Sequence, residues 1–261
     1  MHNSSLKIFL ALIFTLVVSV NLSAQDQKEY YQLKTYTVKN EAQEKMVDAY
    51  LENAFLPSLK RYGISSVGVF KLHNSKFVKA DKIYVLIPFT SFNQFEALED
   101  FLLEDKAHIA DGKTYLEAAH DNAPYENINS VLMRAFTEMP KMMPTKIEGA
   151  RASRVYELRS YESPTEAAYK NKVHMFNEGG EVTLFDSLGF NAVFYAEVIS
   201  GDTMPNLMYM TTYENMEKRD ALWKAFGESD KWQELLNDER YKNNVSKADI
   251  WLLYPTEYSD Y

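Results

Sequence analysis

Tyr156-Glu157-Leu158-Arg159-Ser160-Tyr161 constrains this chain most, because Tyr31-Gln32-Leu33-Lys34-Thr35-Tyr36 matches it in kind at every position. Each copy begins and ends on Tyr, places Leu two residues after the first Tyr, and sets polar residues between. Alternation with period two and β-favouring ends predicts a strand in both places. The segments downstream of the two copies also match. After the first copy, Asn40 and Gln43 have the spacing of a capping box, and Met46, Tyr50, Leu56 and Leu59 form a helical stripe that Gly63 stops. Pro57 is expected to break or kink its last turns. After the second copy, Ser163-Pro164-Thr165-Glu166 predicts an N-cap at Ser163 with Pro next and Glu third. Tyr169, Val173, Phe176, Leu184 and Leu188 continue as a stripe to Gly189, interrupted by Gly179-Gly180.

The remaining pattern repeats as well. Strands are expected at 67–72, 82–89 and 130–136, with a helix capped by Ser91 and Gln94 before the last of them. The second half has its strands at 192–198, 207–213 and 248–254, with helices from Asn215 and from Asp230 with Gln233. Both halves read βαββαβ. Residues 139–151 carry Pro140, Pro144 and Gly149 without periodicity and read as a linker, which places domains at 25–138 and 152–261.

The first residues read as a targeting segment. Lys7 precedes an apolar run from Ile8 to Val18, broken only by Thr15, and Leu22-Ser23-Ala24 offers a cleavage point before Gln25. Residues 1–24 are therefore expected to be a signal peptide, with the mature chain exported to the periplasm or secreted. An uncleaved anchor is the alternative, but the run falls short of the roughly 18–20 residues a span needs. No stable membrane anchor is expected after processing. A net charge of −9 argues against a nucleic-acid partner, which needs a dense basic surface. The absence of cysteine removes disulfides, thiolate metal sites and thiol nucleophiles. No Gly-rich phosphate loop, nucleophile elbow, HExxH or acidic calcium loop is present.

Tyr156-Glu157-Leu158-Arg159-Ser160-Tyr161, the Pro-capped helix and Leu188-Gly189-Phe190 together resemble the NIPSNAP domain. The resemblance runs from Val155 to Pro255 and is traceable from Tyr30 to Phe136. It implies an α+β fold: two tandem ferredoxin-like βαββαβ units forming a dimeric α+β barrel-type arrangement, paired within one chain or through a homo-oligomer. The family has no common established reaction, so the resemblance carries fold further than function. The first copy has Gln32 and Lys34 where the second has Glu157 and Arg159.

Three constellations are candidates for chemistry. On the interrupted helix, His174, Asn177, Glu178 and Glu181 share a face, so His174 and Glu178 could orient a proton-transfer pair. The ordinary alternative is a solvated helix face. Gly179 and Gly180 beside them would admit close approach of a ligand or a kink. Two ligands without a second nearby histidine make no metal site. Glu157 and Arg159 share a strand face, and if that face packs on a second sheet they must be paired. Arg159 is then a structural partner or a carboxylate clamp. Aromatic side chains, among them Tyr195, Tyr209, Trp223 and Trp232, are dense in the second half and suit either a core or the walls of a cleft. The site is expected between the His174 helix and the strands bearing Tyr156 and Tyr209. His174, Glu178 and Tyr209 are placed as catalytic; Tyr156, Glu157, Arg159, Asn177, Gly179, Gly180 and Trp223 are placed as ligand-binding. The function expected is an exported module binding a small molecule or a partner protein. The alternative is an enzyme of the barrel type, cofactor-free monooxygenase-like or haem-dependent, with His174 the nearest axial candidate. The sequence names no cofactor.

Overall fold

Alternation along a strand sends successive side chains to opposite faces, and every strand here uses both. The structure is a computed structural model that describes residues 28–73, 82–148 and 150–261. The expected signal segment and Gly149 of the linker lie outside the described residues. Among the described residues eight strands form: β1 (Tyr30–Thr37), β2 (Gly68–Leu72), β3 (Lys82–Phe89), β4 (Asn127–Ala135), β5 (Val155–Glu162), β6 (Asn191–Ser200), β7 (Asn206–Tyr213) and β8 (Lys247–Pro255). They pair antiparallel in the order β1-β3-β2-β8-β5-β7-β6-β4 and close into a barrel. The pairs β2–β8 and β4–β6 join the two halves, so closure occurs within one chain.

The inner face is filled from all eight strands. Tyr31, Leu33, Phe70, Leu86, Met133, Tyr156, Leu158, Phe194, Met210 and Leu253 belong to one buried cluster. Each fully buried aliphatic or aromatic side chain contributes roughly 1.5–3 kcal/mol. Tyr261 packs into the same cluster, and Arg151 holds that end by donating to the main-chain oxygens of Thr256, Ser259 and Tyr261.

The outer face is covered by helices, one layer per half. Over the first half lie α1 (Glu41–Tyr50) and α2 (Leu56–Arg61), then α3 (Phe92–Glu96), α4 (Leu98–Glu104), α5 (Lys106–Asp111) and α6 (Lys113–Leu116). Asn40 caps α1 by accepting from the Gln43 N–H at 2.9 Å, and the Gln43 side chain accepts from Lys39 N–H at 2.8 Å. Pro57 does not end the helix. A π-helical turn, Leu51–Phe55, precedes it, so the residue lacking an N–H falls in the first turn of α2, where no donor is required.

Over the second half lie α7 (Glu166–Phe176), α8 (Glu181–Ser187), α9 (Met216–Glu228) and α10 (Asp230–Asn237). Here the N-cap is Thr165, not Ser163: the Thr165 hydroxyl accepts from Ala168 N–H at 3.1 Å. Ser163 donates its N–H to Pro205 O at 3.0 Å just past the end of β5, and the helix starts two residues later than the sequence signal implies. The break between α7 and α8 falls at Asn177–Gly180, with Gly180 at φ +88°, a conformation that only glycine adopts cheaply.

Candidate functional site

Glu157, Arg159 and Tyr161 do not lie between two sheets. Their parity on β5 is opposite to Tyr156 and Leu158, which occupy the apolar barrel interior. The charges therefore face the helices, where α9 supplies partners. Glu157 is fully buried, and its carboxylate accepts from Arg159 Nε at 2.6 Å, Arg219 Nε at 2.6 Å and Trp223 Nε1 at 2.9 Å. The Arg159 guanidinium stacks on Trp223 at 3.7 Å from the ring centre and donates to Tyr161 Oη at 2.8 Å. Tyr161 Oη in turn lies 2.9 Å from Tyr209 Oη. One carboxylate, two guanidiniums, an indole and two phenols thus form one connected network. Such a buried network is tolerated because its groups answer one another. Burial pushes the Tyr209 phenol well above its ordinary pKa, so it stays protonated and is no general base as it stands.

The space between the His174 helix and Tyr209 is filled. Phe176 and Phe185 pack on the Tyr209 ring with centroids 5.3 and 5.9 Å away, and Tyr195 stacks on it at 5.5 Å. Tyr156 lines nothing here: it packs on Phe70 inside the barrel. His174 Nδ1 lies 2.9 Å from Tyr241 Oη, while Glu178 is exposed, and no hydrogen bond or ion pair joins the two. Asn177 Oδ1 accepts from Glu138 N–H at 3.1 Å, tying the helix break to the segment that follows β4. A Cβ at Gly179 would lie 2.6 Å from the Met175 carbonyl oxygen and 2.9 Å from Tyr241 Oη, so glycine is required by close approach. Lys172 and Glu181 span the same break as a buried ion pair at 2.9 Å. His174, Asn177, Gly179 and Gly180 thus assemble a helix break, while Glu157, Arg159, Tyr209 and Trp223 assemble the network.

The open volume lies beside both. A cleft of about 760 Å³ runs between α8, the start of β6, the end of β7, the first turns of α9 and residues 138–147. Phe190, Val182, Leu222 and Met143 give it apolar walls, and Tyr195 and Thr212 lie on its floor. Both floor hydroxyls are buried without a hydrogen-bond partner. Burial also raises the Tyr195 phenol well above its ordinary pKa, so it is a donor. Glu138, Lys146, Asp186, Glu214 and Lys218 line the cleft as exposed charges of both signs. Thr212, Met143 and Leu222 carried no signal of a site in the sequence, which places Thr212 in a strand and Leu222 on the helix from Asn215. Met143 reaches the cleft because its N–H bonds Val193 O at 3.0 Å, a pairing between a linker and a distant strand. Among the described residues no group of three His, Cys, Asp or Glu side chains is placed to hold a metal.

Solved structures share this fold. A Fusobacterium nucleatum protein with a provisional monooxygenase name aligns at TM-score 0.59 and 11% identity, covering 87% of this chain and 92% of its own. A Lactobacillus acidophilus protein, also provisionally named a monooxygenase, aligns at 0.57 and 13%, covering 87% and 94%. An anthrone oxidase-like protein aligns at 0.51 and 10%, covering 90% and 94%. At these identities the likeness shows the fold alone: a mixed α+β protein built on a closed barrel of eight antiparallel strands. No curated protein matches the chain. Residues 156–260, which hold the buried network and most of the cleft, match the NIPSNAP family model.

Proposed function

We propose that this protein is an exported binding module whose second half takes up a small molecule in the cleft over β6 and β7. The carrying observation is the cleft itself: about 760 Å³, within the range of small-molecule sites, with a buried and unanswered Tyr195 hydroxyl on its floor. Export rests on the apolar run before Gln25. The chain is a tandem of ferredoxin-like units at 25–138 and 152–261, a reading supported by the matching strand orders β4-β1-β3-β2 and β8-β5-β7-β6. The first unit then serves as the partner that closes the barrel.

In this reading His174, Asn177, Gly179 and Gly180 shape the wall of the cleft through the helix break, and Glu157, Arg159, Tyr209 and Trp223 hold α9 against the sheet. A second reading is oxygenation of the bound molecule by dioxygen without a resident cofactor, the bound molecule itself then supplying the two electrons that reduce the second oxygen atom to water; monooxygenase is the word in the names of two solved relatives. A haem does not fit these residues, because no histidine lines the cleft and His174 packs on Tyr241 outside it.

Native mass spectrometry of the natively expressed chain tests the binding reading. A co-purified small molecule is expected in the wild type, absent in Ala192→Trp, which fills the cleft, and retained in His174→Ala. Loss in His174→Ala with retention in Ala192→Trp would move the site to the other side of α8. Dioxygen consumption by the loaded protein separates the enzyme reading from simple binding.

A further inference from the structure

Over the second half, most phenols on the outer face have partners. Tyr209 meets Tyr161, Tyr213 meets Thr211 at 2.8 Å, and Tyr169 donates to Glu197 at 3.1 Å. Tyr195 stands apart: it is 1% exposed, it lines the cleft, and its hydroxyl has no partner. A buried donor left unmet is costly, and a ligand atom that accepts from it recovers that cost. The polarity of the cleft is graded. Its charged side chains are exposed, whereas Tyr195 and Thr212 are neutral and buried. An ionised group driven to that depth would lose its hydration without meeting a counter-charge. The walls, Phe190, Val182 and Leu222, ask for an apolar body.

We propose that the cleft selects an uncharged carbonyl compound with an apolar ring body, its carbonyl oxygen accepting from Tyr195 Oη and its ring lying against Phe190, Val182 and Leu222. The proposal rests on the cleft being a binding site, and it adds the chemistry of the ligand. Tyr195 sets specificity and does no chemistry. Because its hydroxyl bonds nothing in the protein, Tyr195→Phe removes the recognition element and leaves packing intact.

Isothermal titration of the full chain with three matched probes, 1-tetralone, tetralin and tetralin-1-carboxylate, tests this. The ketone is expected to bind about tenfold more tightly than the hydrocarbon, the carboxylate least well. In Tyr195→Phe the ketone-to-hydrocarbon ratio should fall to about twofold or less with tetralin affinity unchanged. The infrared carbonyl stretch of bound, carbon-13-labelled ketone should sit lower in the wild type than in Tyr195→Phe. Equal affinity for ketone and hydrocarbon, a ratio unchanged in Tyr195→Phe, or tightest binding by the carboxylate would overturn the ligand class while leaving the cleft a binding site. Failure of all three probes to bind at about 1 mM, a concentration at which even weak specific binding registers, would overturn the binding reading and this inference with it.

Discussion

The two halves place different chemistry on the same frame, and the register of the sheet allows a residue-by-residue comparison. Lys34 pairs with Val85 where Arg159 pairs with Tyr209, and Gln32 pairs with Ile87 where Glu157 pairs with Thr211. Val85, Ile87 and Phe89 of the first half thus correspond to Tyr209, Thr211 and Tyr213 of the second. Under the first helical layer the sheet is almost wholly apolar, packed by Val47, Leu51, Phe55 and Leu59. Lys34 there lies 5.1 Å from the Phe55 ring centre, and Gln32 donates to Ser130 at 2.9 Å in an exposed setting. Under the second layer the same strand positions carry hydroxyls and a sealed ion network. The seams differ in sign as well: strand Lys71 meets helical Glu44 and Asp48 on one side, and strand Glu197 meets Arg134 and helical Lys170 on the other. The backbone plan tolerates either interior, and in the second half buried hydroxyls border a cleft of about 760 Å³.

The largest test of this contrast is Glu157→Ala. It strands Arg159, Arg219 and Trp223 without their acceptor and should cost about 3–5 kcal/mol by denaturant unfolding, whereas Gln32→Ala at the corresponding half-buried position should cost under about 1 kcal/mol. Similar losses at the two positions would show that the network contributes no more than its uncharged counterpart.

A finer test compares two phenols that stack on each other. Tyr209→Phe removes the bond to Tyr161 and should cost about 1 kcal/mol or somewhat more, while Tyr195→Phe removes an unmet hydroxyl and should change stability by less than about 0.5 kcal/mol in the absence of ligand. A larger loss at Tyr195 would mean that its hydroxyl is answered inside the protein.

A further test concerns pH and the first half. Burial pushes the Asp105 carboxyl upward, but hydrogen bonds from Ser58, Arg61 and the His108 N–H outweigh it and hold the pKa at about 2. A folded pKa below the unfolded value of about 3.9 stabilises the fold above that value, and the contribution is lost as pH falls from about 4 to 2. Asp105→Asn should therefore lower stability at neutral pH and flatten its decline across that window, as measured by acid titration of the unfolding midpoint. An unchanged slope would remove Asp105 from the acid response and direct attention to Glu197, whose carboxyl burial raises but Arg134 and Lys170 draw down overall.

Much of the frame was legible because local rules govern it. The paired Tyr-x-Leu-x-x-Tyr strands, the Asn40–Gln43 and Ser91–Gln94 caps and the glycine stops at Gly63 and Gly189 depend on residues within a few positions of one another. The rest depended on contacts that sequence spacing does not encode. Ser163 reads as a cap, but its N–H bonds Pro205 O beyond the end of β5 and Thr165 caps the helix instead. Glu157 and Arg159 read as a pair on one strand face, but the surface that buries them is settled only by closure of the barrel, whose apolar interior sends their parity to the helices. The cleft lay beyond any local signal, because Met143 and Thr212 meet through the docking of residues 138–147 against β6.

The linear chain alone specified the order of strands and helices, the doubling of one pattern along its length, and the second half as the one rich in titratable and aromatic side chains. Periodicity, capping and turn chemistry are properties of neighbours in the chain, and composition needs no coordinates at all. Three outcomes came only with packing: the barrel closes through β2–β8 and β4–β6, the charges of β5 face α9, and the free volume lies over Tyr195 and not over Tyr209. Each of those outcomes is set by which distant surfaces exclude water from one another, and that is a property of the packed molecule.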